Sequence, residues 1–367
     1  MDDRAAYQTT LTVFEGPERT AEQITTGAVR ILSEVEKSRL AGVIDGEGSI
    51  LISKIAPKKG RYRRGFYYRA NLEIANSNSL FVRRVLGLIG KGSASFTKEK
   101  HVEWKDKWQY QGSSLVLKAI LPQVLPYLVV KKKVAEKMLE YLEFVDANQI
   151  DGPMEVPEGF DERRDALYHE IKRLNERGPN SSREDGTSAF LPPVAGARGR
   201  GIRTVHCRIL SETGRAWLAA IVDGEGTIMI VERIDSKFRR GFYYCPILEI
   251  SNTNRTVLNK VWETIGGGGV YSANRGTPLQ RKRWMYAASA GVMRAILPQI
   301  LPYMIIKKKQ TMLALEFLRY VETNAPGGGG GKVPPKYYER LDAMLSAMRK
   351  LNHKGRGAES NNYRLLS

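Results

Sequence analysis

Long apolar runs, cysteine and histidine are all scarce in this 367-residue sequence. No apolar run reaches the roughly 18 residues that a membrane-spanning helix needs, and residues 1–8 lack the basic start of a secretory signal. The two cysteines, Cys207 and Cys245, have neither metal-site nor disulfide-framework spacing, and the four histidines are scattered. These absences argue against a zinc centre. They predict an intracellular protein, in the cytoplasm or an organelle, whose chemistry depends on carboxylates and lysines.

Positive charge is what the sequence has in excess. Lysine and arginine number 58 against 39 aspartates and glutamates, which gives a net charge of +19. Such a surplus indicates a polyanionic partner, and without a membrane segment nucleic acid is favoured over an anionic membrane. The length and the 42% hydrophobic content allow two domains, each with its own core.

The strongest pattern is an internal duplication. Residues 40–48 (LAGVIDGEG) recur as 218–226 (LAAIVDGEG), and residues 119–133 (AILPQVLPYLVVKKK) recur as 295–309 (AILPQILPYMIIKKK). The sequence thus holds two copies of one unit of about 150 residues, a typical domain size. Two copies suit a roughly two-fold DNA site, because each can read one half-site. The predicted division is an N-terminal extension 1–29, a first repeat 30–177, a Gly/Pro/Ser/Arg-rich linker 178–206, a second repeat 207–353 and a C-terminal tail 354–367.

The patterning within each repeat predicts the element order α-β-β-α-β-β-α-α. Residues 38–45 are small and apolar and end in Gly-Glu-Gly, a helix stop. Within 66–74, apolar and polar residues alternate, which predicts a strand with one core face and one polar face. The predicted class is α+β, with a four-stranded antiparallel sheet in each repeat and helices on one of its faces.

The two Gly-Glu-Gly helix ends are the candidate sites of chemistry. A carboxylate at a helix C-terminus faces the negative end of the helix dipole, which is unfavourable unless a cation lies nearby. Glu47 and Glu225 have this position, their oxygen ligands suit Mg²⁺, and the flanking glycines would leave backbone carbonyls open. A single copy could equally be a buried helix with a glycine stop and a solvated glutamate. Because both copies keep the acid, we favour the functional interpretation.

Small residues on the same helices would allow a close helix crossing. Ala41 and Gly42 in the first copy, and Ala219 and Ala220 in the second, leave room for two backbones to approach. Such a crossing would bring the two glutamates side by side.

Both copies resemble the signature of the LAGLIDADG homing endonucleases, in their single-chain, two-repeat (pseudo-dimeric) form. The resemblance covers about residues 30–177 and 207–353 and excludes the extension and the linker. It implies a monomer whose repeats are related by pseudo-two-fold symmetry, with the two motif helices packed at the interface. It also implies an intron-encoded, Mg²⁺-dependent (or other divalent-cation-dependent) endonuclease that cuts both strands of a long, pseudo-palindromic DNA target and leaves 3′ overhangs.

The resemblance also implies roles for particular residues. Glu47 and Glu225 would bind metal through their carboxylates, and Gly46 and Gly224 through their carbonyls. Lys131 and Lys307 would lie near the scissile phosphates, although the lysine runs could be solvated and the acting lysine in each run is left open. Asn76 and Asn252 would hold water near the metals, with a simple turn role as the alternative.

The polar faces of the two sheets are expected to enter the major groove, as a two-stranded ribbon can. Basic loop tips, with Lys58, Lys59, Arg61, Arg239 and Arg240, should contact phosphates. Met229, Val231 and Ile247 share the second face and could meet thymine methyls or be ordinary strand residues. The predicted base-reading residues are Ser49, Ser53, Arg69, Asn71, Glu73, Ser95, Thr97, Lys107 and Gln109 in the first half, and Arg233, Tyr243, Glu249, Tyr271 and Arg283 in the second.

Two other functions fit the same charge and fold. An RNA maturase would bind its host intron RNA, and a splicing response to the protein would identify it. A non-catalytic transcription regulator would be expected to lose the acid, which this sequence keeps in both copies.

Overall fold

A computed structural model divides the chain into two compact units, Met1–Ser181 and Ser182–Ser367. It describes residues 11–13, 22–26, 28–56, 64–98, 106–148, 157–176, 207–236, 238, 240–272, 283–325 and 336–353. The predicted linker and C-terminal tail lie outside the described residues, so their boundaries stay predictions.

The first unit follows the predicted order α-β-β-α-β-β-α-α and then adds one more helix. Two strands from the N-terminal extension precede this series. In chain order the elements are β1 (Leu11–Val13), β2 (Glu22–Thr26), α1 (Glu34–Glu47), β3 (Gly48–Ile55), β4 (Tyr67–Asn76), α2 (Ser79–Ile89), β5 (Gly92–Thr97), β6 (Lys107–Gly112), α3 (Ser114–Val124), a 3₁₀ turn (Leu125–Tyr127), α4 (Lys132–Ala147) and α5 (Phe160–Asn175).

The second unit repeats the series without the two added strands among its described residues. Its elements are α6 (Glu212–Glu225), β7 (Gly226–Ile234), β8 (Phe242–Asn252), α7 (Arg255–Ile265), β9 (Gly269–Ser272), β10 (Trp284–Ala288), α8 (Ala290–Ile300), a 3₁₀ turn (Leu301–Tyr303), α9 (Lys308–Asn324) and α10 (Tyr337–Asn352). No helix in the described part of the chain has the length and apolar character that a membrane crossing requires.

Both predicted four-stranded antiparallel sheets are present. The order is β3-β4-β6-β5 in the first unit and β7-β8-β10-β9 in the second. In the first unit β2 pairs with β5, Ile24 lying opposite Ala94, and β1 pairs with β2, so that sheet has six strands. The sequence did not predict these two strands, because the extension has neither a copy in the second half nor a clear alternation.

One face of each sheet is the core, as the alternating pattern predicted. Ile50, Leu72 and Ile74 are fully buried on the face against which α1, α2 and α3 pack. The last helix of the unit is fixed to the edge strand by Asn175, whose Nδ2 donates to the Ile50 carbonyl at 2.8 Å. Asn352 makes the same bond to Ile228 in the second unit, so this asparagine has the same structural role in both units.

A buried tyrosine closes the turn between α2 and β5. The Tyr110 hydroxyl donates to the Lys91 carbonyl at 2.6 Å, and the Tyr110 ring lies over Gly92, which has φ of 124°. A Cβ on Gly92 would lie 2.6 Å from a ring carbon of Tyr110, so glycine is required there. Tyr286 and Gly268 repeat this arrangement in the second unit.

We expect Gly92→Ala to destabilise the first unit by about 3 kcal/mol or more, because backbone strain and overpacking add. Gly65→Ala is the matched control, since Gly65 also has a positive φ but its Cβ would meet no described atom within 4 Å. The control should cost about 1–2 kcal/mol. Denaturant unfolding of both variants measures the difference. Equal losses would contradict the packing role of Tyr110.

Candidate active site

The two motif glutamates, Glu47 and Glu225, end the helices α1 and α6. Glu47 is the last residue of α1 and is half-buried, and Asn76 at the end of β4 donates from Nδ2 to its Oε1 at 3.0 Å. The side-chain Oδ1 of Asn76 accepts from the backbone N–H of Asn78, which fixes the orientation of the side-chain amide. In the second unit Asn252 bonds to Glu225 at 3.2 Å in the same way. Asparagine therefore contacts the acid directly in both units.

The aspartate two residues earlier in the motif anchors the following part of the chain. Asp45 is 3% exposed, and its carboxylate accepts the backbone N–H groups of residues 129, 130 and 131 at 2.8, 3.0 and 3.0 Å. Burial raises the pKa of the Asp45 carboxyl, and the three donors and the Lys131 ammonium oppose this shift. Asp223 holds residues 305–307 identically. Each motif helix is thereby bonded to the segment that enters α4 or α9.

The first lysine of each run lies at the end of the motif helix. Lys131 is 7% exposed, and its Nζ donates to the carbonyls of Ile44 and Asp45 at 2.7 and 3.0 Å. Lys307 is 9% exposed and its Nζ donates to Val222, at 2.9 Å, and to Asp223. A cation at a helix C-terminus interacts favourably with the dipole. The other two lysines of each run are exposed, so the run is not uniformly solvated.

The contact occupies two of the carbonyls at the helix end, those of Ile44 and Asp45, which are bonded to the ammonium group. The open carbonyl expected at Gly46 stays a prediction. Gly48 instead allows a close approach, since a Cβ there would lie 2.8 Å from the Ile44 carbonyl oxygen. The extended backbone of Gly48 shows that no left-handed glycine ends this helix.

The residues at each helix end fit a hard divalent cation only in part. The Glu47 carboxylate and the Gly46 carbonyl are oxygen ligands of the kind that Mg²⁺ prefers. No group of three acidic, histidine or cysteine side chains gathers anywhere among the described residues. One helix end therefore needs further oxygen ligands, and phosphate oxygens and water are the ones that Mg²⁺ ordinarily adds.

The predicted base-reading residues lie on the sheet faces opposite the core. In the first unit the pairs Ser49–Glu73, Ser53–Arg69 and Ser95–Gln109 are directly opposite in register, and Thr97 lies opposite Lys107. Asn71 is on the same face but is only 5% exposed, and its Nδ2 lacks a hydrogen-bond partner within the described structure. In the second unit Arg233 lies opposite Tyr243, Glu249 opposite Thr227 and Tyr271 opposite Met285, while Arg283 donates to the Ser251 hydroxyl at 2.6 Å.

The basic residues predicted at the loop tips fall into two groups: those outside the described residues, and Arg240, which is described. Lys58, Lys59, Arg61 and Arg239 lie outside the described residues. Arg240, expected on phosphates, instead bonds to Asp342 of α10 at 3.0 and 3.2 Å.

The first unit holds its hairpin in the same way. Arg64 bonds to Asp161 and Asp165 of α5, and its guanidinium lowers the pKa of the Asp165 carboxyl. Tyr68 also donates to Asp165, at 2.8 Å. Sequence reasoning missed this contact, although residues 64–68 (RGFYY) recur as 240–244 and this duplication was a signal for it.

Comparison with solved structures identifies the class of fold. The I-SmaMI LAGLIDADG homing endonuclease bound to cleaved DNA matches with a TM-score of 0.60 at 18% identity, over 89% of this chain and all of that one. I-SmaMI bound to an uncleaved DNA target with calcium ions matches with a TM-score of 0.60 at 17% identity, over 85% and 98%. The I-LtrWI LAGLIDADG homing endonuclease bound to target DNA matches with a TM-score of 0.56 at 14% identity, over 85% and 97%.

The chain therefore has the fold of the single-chain LAGLIDADG homing endonucleases, as the two motif copies indicated. No family model and no curated protein matches the sequence.

We expect Asp45→Asn to destabilise the first unit by about 3 kcal/mol, because an amide cannot accept three N–H bonds and brings its own donors against them. Asp223→Asn should do the same to the second unit. Asp146→Asn, at an exposed Lys118 contact, is the control and should change the free energy of unfolding by under about 1 kcal/mol. Denaturant unfolding followed by circular dichroism provides the comparison, and a loss at Asp45 no greater than at Asp146 would refute the anchoring role.

Proposed function

We propose that this protein is a site-specific homing endonuclease. It makes a double-strand break with 3′ overhangs in a long, pseudo-palindromic DNA target by metal-dependent phosphodiester hydrolysis. The observation that carries the proposal is the recurrence, at both motif-helix ends, of one glutamate bonded to an asparagine beside one buried lysine. The fold shared with DNA-bound endonucleases supports it.

The metal would be held by Glu47 and Glu225 through their carboxylates and by Gly46 and Gly224 through their carbonyls. When bound, Mg²⁺ or another divalent cation polarises a phosphate oxygen and lowers the pKa of coordinated water. The calcium ions in the I-SmaMI complex support the use of a divalent cation in this fold. In this proposal each motif helix supplies one acid for metal binding.

The other side chains at the helix ends would orient the glutamate carboxylates and neutralise negative charge on the phosphate. Asn76 and Asn252 hold one oxygen of each glutamate, which directs the carboxylate and leaves the asparagine close enough to order water. Lys131 and Lys307 place an ammonium group beside the helix end, where it would stabilise negative charge that develops on the phosphate.

Double-stranded DNA is the proposed partner of a monomeric chain. The net charge of +19 supports phosphate binding, and the outer sheet faces would each read one half-site in the major groove. An intron-encoded enzyme of this kind would act in a cell compartment that contains DNA. Intron RNA is the alternative partner, and the maturase function would use the same surface. A regulator without catalysis is disfavoured because both acids are kept.

We expect Glu47→Gln and Glu225→Gln each to reduce cleavage by on the order of 10²–10³-fold, because a neutral amide is a poor ligand for a divalent cation. Binding should be retained. The assay incubates the full chain and Mg²⁺ with a randomised DNA library and sequences the cut ends, and a chelator should stop the reaction. Glu143→Gln, exposed on α4, is the control.

Discrete cuts that survive both substitutions would sink the nuclease site proposed here. Tight binding of one DNA sequence without any cutting would favour the regulator. Preferential binding of a structured RNA, with a splicing response, would favour the maturase.

The two exposed lysines of each run provide a test of which lysine acts. We expect Lys131→Met to reduce cleavage by on the order of 10²-fold, while Lys132→Met mainly weakens binding as salt rises. Because Lys131 is buried, thermal unfolding and binding of the selected DNA are measured on both variants. If Lys131→Met folds, binds and cuts normally, Lys131 only caps α1.

A further inference from the structure

The outer faces of the two sheets differ far more than their cores. Directly equivalent positions carry Ser53, Arg69, Asn71, Gln109 and Gln111 in the first unit. The second unit has Val231, Cys245, Ile247, Met285 and Ala287 in their places. The core positions beside them stay apolar in both, Ile50 and Leu72 in one and Ile228 and Leu248 in the other. The change therefore lies on the faces of the two sheets that are opposite the cores.

The strand register brings four of these apolar residues into one patch with Met229, whose first-unit equivalent Leu51 is also apolar. Met229 lies opposite Ile247 and Val231 opposite Cys245 on the β7–β8 pair. Residues directly opposite in an antiparallel pair share a face, with Cβ atoms about 4.5–5.5 Å apart. Ala287 of β10 lies opposite Glu249, one step along the same face. We define the residues Met229, Val231, Cys245, Ile247 and Ala287 as the apolar patch.

Four of the five patch residues lie outside the hydrophobic core of their unit, and Ile247 is the buried member of the patch. The core side of the same strands consists of Ile228, Ile230, Leu248 and Ile250, which are 0–4% exposed. Ile247 is 8% exposed, whereas Met229, Val231 and Cys245 are only half-buried and so present apolar surface. The exposed Arg233 borders the patch at the end of β7 and could bind a phosphate beside it.

In the major groove, one base carries a distinctive apolar group. Thymine presents a C5-methyl beside its O4 acceptor, and apolar side chains recognise that methyl. Serine, arginine and glutamine, as on the first face, instead read donors and acceptors. The first face therefore suits hydrogen-bonded bases, and the apolar patch suits methyl groups.

Resting on the proposed endonuclease function, we infer that the two half-sites are read by different chemistry. The second unit selects thymines through their methyl groups with the apolar patch, and the first unit reads its half-site mainly by hydrogen bonds. Val231 and Cys245 show the difference between the two faces most clearly, because Ser53 and Arg69 occupy the equivalent positions in the first unit.

The test replaces thymine by deoxyuridine, which lacks only the methyl group. The full chain selects its target from a random library, and duplexes are then made with uracil in one half-site at a time. Affinity is measured with Ca²⁺ in place of Mg²⁺, as in the uncleaved I-SmaMI complex. We expect uracil in one half-site to weaken binding about three- to fourfold per contacted thymine, and in the other less than twofold.

A face-exchange variant assigns the sensitive half-site. Val231→Ser with Cys245→Arg, which introduces the first-unit residues, should reduce the uracil effect in that half-site, while Met229, Ile247 and Ala287 keep part of it. The reverse pair in the first unit, Ser53→Val with Arg69→Cys, is the matched control and should leave that effect unchanged. Thermal unfolding checks that both variants are folded.

Uracil effects that are equal in the two half-sites, absent, or unaltered by the Val231 and Cys245 exchange would overturn the inference. If the chain cuts a defined site but is indifferent to thymine methyls, only this inference is wrong. If no DNA sequence is selected or cut, the proposed function fails and the inference fails with it.

Discussion

The contact on which each unit depends is a two-way bond between the motif helix and the segment that follows the 3₁₀ turn. Asp45 holds three backbone N–H groups of that segment, and Lys131 from the same segment returns its ammonium to the helix carbonyls. Buried charges are tolerated only when they are paired and hydrogen-bonded. Here the Asp45 carboxylate bonds to the segment that contains Lys131, and the Lys131 ammonium bonds to the helix that contains Asp45. Because the helix end is fixed from both sides, Glu47 and Lys131 keep a defined position, which a catalytic centre needs.

Duplication has left this framework intact while the outer faces have diverged. Four contacts of the first unit recur in the second: the aspartate and lysine bonds at the end of the motif helix, the asparagine–glutamate bond, the buried tyrosine over glycine and the arginine–aspartate hairpin contact. At several equivalent positions the outer face is polar in the first unit and apolar in the second, and among the described residues two further strands join only the first sheet, at its β5 edge. A protein with the same helix-end chemistry in both units, but with two different half-sites to recognise, would show this combination of preserved framework and altered surface.

Much of the fold follows from the sequence, because its periodicity is local. The alternation in β4, the glycine after α2 and the Gly-Glu-Gly end of α1 fix elements to within a few residues. The lysine run shows the limit: three adjacent lysines look alike in sequence, and only the fold buries Lys131 and exposes the other two. Arg240 resembles a phosphate contact, yet its partner Asp342 is distant along the chain. The strands β1 and β2 depend on pairing with β5 rather than on any pattern of their own.

In the proposed function, the glutamates that end the two motif helices hold the divalent cation on which DNA cleavage depends. Its most direct test uses electron paramagnetic resonance to measure how much Mn²⁺ the full chain binds when its selected DNA is present. The account predicts tight Mn²⁺ sites in the complex that are lost when both Glu47→Gln and Glu225→Gln are introduced, while DNA stays bound. Undiminished Mn²⁺ binding in that double variant would contradict it.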